Sequence, residues 1–254
     1  QENTIDGKEL FGDMRARHIG PAIMSGRFID LEAHPTNNRI LFGGAAGGGV
    51  WKTINGGATF DPVFDEHAQS IGAIKIDPTD PDKTVWVGTG EIWTRNSVSI
   101  GDGLYKSTDG GNSWKKKGFE KSERISAIVI NPQNNKEMYV AVMGALWGDS
   151  EDRGIYKSND GGETWENILY TDKSTGAAEL IIDPVNPNIL YASMWKFRRT
   201  PWGFESGGDT SAIYKSTDSG KSWSKIHNGF PNGKLGRIAL AIAPSKPEIL
   251  YAAV

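Results

Sequence analysis

The chain of 254 residues contains no cysteine and only four histidines. Without cysteine there is no disulfide scaffold, no thiol nucleophile and no cysteine-ligated zinc. The histidines, at positions 18, 34, 67 and 227, do not have the spacing of a metal-binding motif. We therefore expect neither a metal site nor a cofactor.

An excess of positive charge and long apolar runs are also missing. The chain has 28 Lys and Arg residues against 31 Asp and Glu residues, which gives a net charge of −3. Such a chain cannot neutralise many phosphates, so nucleic acid is not an expected partner. No apolar run approaches the roughly 20 residues that cross a bilayer as a helix. The start at Gln1 favours a mature exported protein, in the periplasm, at the cell surface or secreted.

Glycine and aromatic residues are abundant, and they recur in a repeated phrase. Four ten-residue segments align without gaps and begin 54, 51 and 58 residues apart: WKTINGGATF at 51–60, YKSTDGGNSW at 105–114, YKSNDGGETW at 156–165 and YKSTDSGKSW at 214–223. A second phrase occurs five times, as an alternating apolar run, a proline turn and another apolar run. A repeat of 50 to 60 residues built from short strands and turns is typical of β-propeller blades.

The predicted fold is all-β, a propeller of four-stranded antiparallel blades with strands A to D. In blade 2 we expect these strands at 71–77, 84–89, 103–108 and 113–118. Residues 1–254 then form one propeller segment of about four blades and the start of a fifth, an incomplete part of a larger propeller. The segment 14–19 suits an outer strand of a closing blade. We expect the remainder of a longer polypeptide, or another chain, to complete the propeller.

The repeated phrase has the chemistry of a turn between strands C and D. Asn55, Asp109, Asp160 and Asp218 can accept hydrogen bonds from backbone N–H groups of their own turns, and the glycines that follow can adopt positive φ. The phrase resembles the Asp-box of sialidases, sortilins and several glycanase propellers. That resemblance implies a structural role for the four side chains, on the end of the propeller opposite the usual binding end.

The loops between strands B and C carry the candidate ligand-binding residues. A tryptophan on a loop either covers the propeller or forms a ligand platform; these are Trp93, Trp147, Trp195 and Trp202. Arginines on the same loops can clamp carboxylates, stack on the rings or brace the loops against Glu91, Asp149 and Asp209; these are Arg95, Arg153, Arg198 and Arg199. Arg27, Arg124 and Arg237 precede strand A of blades 1, 3 and 5. We expect them near the central channel, where they favour an anionic ligand or pack against a neighbouring blade.

The order of several motifs resembles a specific family. The motifs are RHIGP at 17–21, SGR at 25–27, VGTGE at 87–91, RGIY at 153–156 and RRTPW at 198–202. Together they resemble the amino-terminal part of large exported bacterial proteins with a sortilin-like propeller, often labelled BNR-repeat glycosyl hydrolases. The resemblance implies many blades and further domains. Sortilins themselves bind peptides and proteins in the propeller tunnel.

Comparison with enzyme propellers leaves only a weak catalytic candidate. No Tyr and Glu pair of the sialidase kind can be assigned. Where a two-propeller xyloglucanase has a catalytic Asp in blade 1, this chain has Ala46. Glu91, paired with Asp102 or Asp149, is the remaining carboxylate to test, since inverting hydrolysis needs two.

Three functions remain open from the sequence. The first is an exported binding module for a peptide, protein segment or glycan on the Trp- and Arg-rich loops. The second is a glycoside hydrolase that uses Glu91. The third is a structural module that assembles with other domains of a larger exported protein.

Overall fold

A computed structural model describes residues 27–254, and this part of the chain contains strands and no helix. The strands are assigned to blades as follows. Blade 1 has β1 (Phe28–Ala33), β2 (Leu41–Ala45), β3 (Gly49–Thr53) and β4 (Asp61–Pro62); blade 2 has β5 (Ile71–Ile76), β6 (Val85–Thr89), β7 (Leu104–Ser107) and β8 (Lys115–Lys116); blade 3 has β9 (Ile125–Ile130), β10 (Met138–Val142), β11 (Gly154–Ser158) and β12 (Glu166–Leu169); blade 4 has β13 (Thr175–Ile182), β14 (Leu190–Thr200), β15 (Gly203–Ser206), β16 (Ala212–Ser216) and β17 (Ser224–Lys225); blade 5 has β18 (Ala239–Ile242) and β19 (Leu250–Ala253). The predicted segment 14–19 and the motif at 17–21 lie outside the described residues.

Each blade is an antiparallel sheet whose strands follow one another in chain order. The first strands of the blades, β1, β5, β9, β13 and β18, pack successively against one another. They therefore form the inner wall of a propeller, and the later strands of each blade lie progressively further from it. This arrangement confirms the all-β propeller fold that the repeats predict, with four full blades and two strands of a fifth.

The hydrophobic core lies between neighbouring blades. Between blades 1 and 2, for example, Phe42, Val50 and Phe64 pack with Ile74 and Val87, and all five side chains are buried. Comparable clusters join blade 2 to blade 3 and blade 3 to blade 4. Because both faces of an inner blade are covered, its strands are almost continuously apolar; β10 is fully buried along its length. Blade stacking is thus the main source of hydrophobic stabilisation.

The turns between the third and fourth strands have the predicted hydrogen bonds. Asp109 Oδ1 accepts from the backbone N–H of Asn112 at 3.0 Å and of Ser113 at 2.9 Å. Hydrogen bonds from the hydroxyl and the N–H of Ser113 lower the pKa of Asp109 to about 2. The equivalent bonds occur at Asp160 (from Glu163 and Thr164), at Asp218 (from Ser222) and at Asn55 (from Thr59). The four side chains thus accept the backbone hydrogen bonds that the sequence predicts, and their stabilising role in the turns stays a prediction.

The connection between strands B and C of blade 4, on which the sequence predicts a loop with Trp195, Arg198, Arg199 and Trp202, is instead largely a β-hairpin. Strand β14 continues to Thr200 and pairs with β15, with Phe197 opposite Ser206. The reason is visible in the alternation of buried Trp195, exposed Lys196 and buried Phe197, which is the pattern of a strand with one covered face. The hairpin is therefore a rigid extension of the second strand.

Candidate functional site

The loops between second and third strands all lie at one end of the propeller, because the first strands run in the same direction around the channel. We call this end the loop face: the connections 46–48, 90–103 and 143–153, and the hairpin formed by β14 and β15. The residues just before the first strands belong to the same end. The candidate residues of the sequence analysis are therefore collected on the loop face, and the Asp-box turns lie at the opposite end.

Glu91 lies at the centre of an ionic cluster on the blade 2 loop. Its side chain is 2% exposed, and Arg27 and Arg95 both contact it. Arg95 donates from Nε to Oε1 and from Nη2 to Oε2, each at 3.0 Å. Arg27, at the entry to blade 1, donates to Oε1 as well. The carboxylate thus joins blade 1 to the blade 2 loop.

Arg237, at the entry to blade 5, holds two tryptophans. Its guanidinium carbon lies 4.3 Å from the ring centre of Trp93 and 5.9 Å from that of Trp195. It also donates to the carbonyl of Ile92 at 3.0 Å. Cation–π contact and a hydrogen bond together fix the blade 2 loop from a blade that is not its neighbour in the chain.

Arg124 and Arg153 are buried, which favours loop bracing and packing over ligand contact among the interpretations that the sequence leaves open. Their guanidinium carbons lie 4.9 Å and 4.6 Å from the ring centre of Phe197. Arg124 donates to the carbonyl of Gly144, and Arg153 donates to the carbonyls of Met143, Ala145 and Gly148. Burial lowers the pKa of Arg124 to about 9, and the positive charge of Arg153 adds to this effect. Both side chains brace the blade 3 loop against the blade 4 hairpin.

Trp195 is also buried, so it too is a packing residue in this structure. Its ring stacks on Phe197 with centres 4.6 Å apart, and its Nε1 donates to Ser206 at 3.1 Å. Neither Phe197 nor its two arginine neighbours could be grouped from the sequence, since they come from different blades. The alternation of apolar residues along 195–197 is the one local signal that was available.

Arg198 and Arg199 tie the hairpin to the blade 3 loop. Arg198 forms an ion pair with Asp149 and contacts the carbonyl of Trp147 at 3.5 Å. The backbone N–H of Arg199 donates to the carbonyl of Leu146 at 3.3 Å, and its guanidinium carbon lies 5.4 Å from the ring centre of Phe204. The ion pair supports the bracing interpretation for Arg198, which stays partly exposed, whereas the side chain of Arg199 stacks within its own hairpin.

Three of the four candidate tryptophans remain accessible on the loop face. Trp93 is 50% exposed, Trp147 is 47% exposed, and Trp202, at the tip of the hairpin, is 88% exposed. They belong to blades 2, 3 and 4. Exposed aromatic side chains held on braced loops have the character of a binding surface.

A small acidic cavity lies on the inner wall, and the sequence analysis did not identify it. It measures about 240 Å³ and its wall includes Asp30, Glu32, Lys75 and Glu179. Burial raises the pKa of Glu179 to about 7; Arg237, at 3.8 Å, lowers it in part. Asp30 and Glu32 occupy alternate positions of β1, which was the available signal in the sequence. Among residues 27–254 no group of three or more potential metal ligands is found.

The remaining candidate carboxylates have cationic partners. Asp102 accepts from Lys116 at 2.7 Å and from the hydroxyl of Tyr105 at 2.7 Å. Burial alone would raise the pKa of Asp102, but these hydrogen bonds outweigh it and the pKa is lowered. Ala46 is buried at the end of β2, where its N–H donates to the carbonyl of Arg27.

Fold and turns together define an Asp-box β-propeller of the sortilin type. Residues 102–241 match the family model Sortilin-Vps10, described as sortilin, neurotensin receptor 3. Since the match covers more than half of the chain, the protein belongs to the Sortilin-Vps10 family. No helix among residues 27–254 is long and apolar enough to cross a membrane.

Relatives with curated names are xyloglucanases. The chain is 26% identical to the xyloglucanase Xgh74A of Acetivibrio thermocellus over 89% of its own length and 27% of that protein. It is 25% identical to a xyloglucanase of Hypocrea jecorina over 77% of its length and 25% of that protein. Among solved structures, an ancestral GH74 enzyme has a TM-score of 0.66 at 19% identity, covering 88% of this chain and 29% of that chain. The GH74 enzyme of Niastella koreensis has a TM-score of 0.58 at 23% identity, covering 79% of this chain and 29% of that chain. The chain thus spans about a quarter of its curated relatives.

Proposed function

We propose that this propeller segment binds a polysaccharide of the xyloglucan class across its loop face, within an exported protein. The observation that carries the proposal is the exposure of Trp93, Trp147 and Trp202 on three successive blades. Indole rings offer large, rigid apolar faces on which the C–H faces of sugar rings can stack. Successive platforms suit an extended chain better than a compact small molecule.

The ion pairs between the tryptophans suit a ligand rich in hydroxyl groups. Arg27 and Arg95 share the carboxylate of Glu91, and Arg198 pairs with Asp149. Paired guanidinium and carboxylate groups offer hydrogen-bond donors and acceptors to hydroxyl groups, and the pairing reduces their attraction for a free anion. The names of the relatives support the same ligand class, since they are xyloglucanases.

Binding is better supported than hydrolysis within residues 27–254. Inverting hydrolysis needs one carboxyl group to protonate the leaving oxygen and another to activate water. The three candidates, Glu91, Asp102 and Asp149, all have a cationic partner in contact. Glu91 in particular has both oxygens occupied by guanidinium donors. We therefore assign it a positioning role on the blade 2 loop.

Affinity electrophoresis in gels containing xyloglucan tests the proposal. The protein should be retarded, and the triple variant Trp93→Ala, Trp147→Ala, Trp202→Ala should migrate as in a gel without polysaccharide. Ile54→Ala is the control, because Ile54 is also a largely exposed apolar side chain but lies on an Asp-box turn at the opposite end. Equal retardation of the triple variant would contradict the proposal, as would binding to a peptide array without retention by polysaccharide.

Hydrolysis is tested separately by the release of reducing ends from xyloglucan. We expect none above background from this chain. Turnover that is abolished by Glu91→Gln, with unchanged retardation in the gel, would establish the hydrolase alternative. If the protein neither binds nor turns over ligand, a role of the loop face in assembly with other domains is favoured instead.

A further inference from the structure

The side chain of Arg237 connects the inner wall to the loop face. Its Nη1 donates to the carbonyl of Ile92 at 3.0 Å, and its Nη2 lies 3.8 Å from Oε1 of Glu179. Its central guanidinium carbon lies 4.3 Å from the ring centre of Trp93. One guanidinium group is therefore placed between a carboxyl group of β13 and the blade 2 loop.

Glu179 supplies a negative charge to a guanidinium group that is largely withdrawn from water. The side chain of Arg237 is 14% exposed, and burial lowers its pKa, while the charge of Glu179 opposes this shift. The buried guanidinium of Arg124 repels that of Arg237 as well. Because an unpaired charge is costly to bury, Arg237 is more stable in this position when Glu179 is ionised than when it is protonated.

The small acidic cavity brings three further charged groups near Glu179. Asp30 and Glu32 of β1 and Lys75 of β5 line the same cavity. Lys75 forms an ion pair with Glu32 at 2.6 Å, and Asp30 accepts a hydrogen bond from the backbone of β5 at 2.7 Å. The part of β9 that reaches the cavity, 126–128, carries no titratable side chain. The positive charge of Lys75 is thus paired with another carboxylate of the cavity.

Glu179 changes its charge in the neutral pH range. Burial raises its pKa to about 7; the charge of Arg237 acts against this shift, and that of Asp30 adds to it. The ionised carboxylate remains costly in its cavity, and Arg237 offsets part of that cost. Coupling between two groups is reciprocal. Since Arg237 favours the ionised form of Glu179, the ionised form in turn favours the position of Arg237 beside it.

We propose that Glu179 is a positioning residue for the loop face: its ionised carboxylate holds Arg237 against Trp93 and thereby fixes the blade 2 loop for ligand. Binding at the loop face then tightens as the pH rises through neutrality. This effect on the ligand rests on the polysaccharide binding proposed above, whereas the effect on the loop does not. A carboxyl group of the inner wall on blade 4 thus controls an aromatic platform on blade 2.

Amide exchange of residues 91–98 measures the state of the loop without a ligand. Glu179→Gln has the shape of the protonated carboxyl group, and a comparison of both proteins at one pH cancels the intrinsic pH dependence of exchange. At pH 5.5 the two proteins should exchange at the same rate. At pH 8.5 the parent should exchange about fivefold more slowly than the variant, which is a modest coupling between two sites.

Titration calorimetry with xyloglucan oligosaccharides measures the consequence for binding. The parent should bind about fivefold more tightly at pH 8.5 than at pH 5.5. Glu179→Gln should bind at both pH values with the affinity that the parent has at pH 5.5. Glu179→Asp keeps the charge, so its affinity should again rise with pH.

Glu32→Gln is the matched control. Glu32 lines the same cavity, and burial raises its pKa as well, but it pairs with Lys75 rather than with Arg237. This variant should keep the pH dependence of the parent, both in amide exchange and in binding. Loss of the pH dependence in Glu32→Gln would overturn the proposal, because the total charge of the cavity would then hold the loop.

Two further results would overturn the proposal, and one would not. Equal exchange of 91–98 in the parent and in Glu179→Gln at pH 8.5 would show that Glu179 does not hold the loop. A pH dependence of binding that persists in Glu179→Gln would show that another group controls the ligand. If the loop responds as expected but no oligosaccharide binds at either pH, the positioning of the loop by Glu179 is supported and only the polysaccharide binding is contradicted.

Discussion

The guanidinium carbon of Arg237 lies 4.3 Å above the ring of Trp93. Arg237 precedes the first strand of blade 5, whereas Trp93 belongs to the blade 2 loop, so the contact joins two blades that are distant in the chain. The same side chain hydrogen-bonds the carbonyl of Ile92. A residue at the entry to blade 5 thereby holds the exposed tryptophan of the blade 2 loop.

Replacing Arg237 by lysine should loosen the blade 2 loop without unfolding the protein. Lysine keeps the charge but lacks the planar group that stacks on Trp93 and donates to Ile92. We expect faster amide exchange across 91–98, measured by mass spectrometry, and a nearly unchanged melting temperature. Arg39→Lys, at an exposed turn at the opposite end, is the control and should leave this exchange unaltered. If the amides of 91–98 exchange equally slowly in both variants, the stacking of Arg237 on Trp93 is not needed to hold the loop.

Two substitutions at Asp109 should separate the loss of a hydrogen-bond acceptor from the loss of a negative charge. Asp109→Ala removes the oxygen that accepts from Asn112 and Ser113, and we expect the melting temperature to fall by roughly 2–4 °C. Asp109→Asn should cost much less, because Asn55 already fills the same role in blade 1 and accepts from Thr59 at 3.0 Å. Calorimetry of both variants checks this. Equal losses would mean that the carboxylate charge, not the acceptor geometry, stabilises the turn.

Local chemistry explains why the blades and turns could be predicted from the sequence. The expected strand 71–77 corresponds to β5, and the expected strand 84–89 corresponds to β6. The hydrogen bonds of Asp109 are all made within four residues of it. Alternation and turn residues act over short stretches, and each repeat carries the same signals again.

The arrangement of the loop face could not be predicted, because it depends on contacts between blades. Arg153, for example, lies under the ring of Phe197, which comes from blade 4. Likewise, Glu179 and Asp30 line one cavity only because the first strands meet around the inner wall. A composition rich in Trp and Arg shows that such contacts can form, but it does not show which pairs form.

Trp202 should be the tryptophan whose contribution to binding can best be measured without a change in the stability of the protein. It is 88% exposed at the tip of a hairpin that other residues hold, so Trp202→Ala should leave the melting temperature unchanged. If the proposed polysaccharide binding is correct, the same change should weaken it by more than about 1 kcal/mol, as for an anchor residue. Titration calorimetry with xyloglucan oligosaccharides measures this. Trp195→Ala is the contrasting variant: it removes a buried ring that packs on Phe197, so it should destabilise the protein. Loss of stability in Trp202→Ala would indicate that its ring packs in solution.

Glu179 should make the protein less stable as the pH rises through neutrality. Burial in the small acidic cavity on the inner wall raises the pKa of Glu179 to about 7, above the ordinary value of 4.5. Arg237 opposes this shift, and Asp30 adds to it. Between these two pH values the folded protein therefore binds more protons at this site than the unfolded chain does, and the free energy of unfolding falls with increasing pH. Glu179→Gln removes the titration, so the variant should gain stability relative to the parent at pH 8 compared with pH 4. Thermal melts of both proteins from pH 4 to pH 8 measure the difference, and Glu248→Gln, at an exposed turn, serves as the control. A parent and variant with parallel pH profiles would show that Glu179 is hydrated and titrates normally.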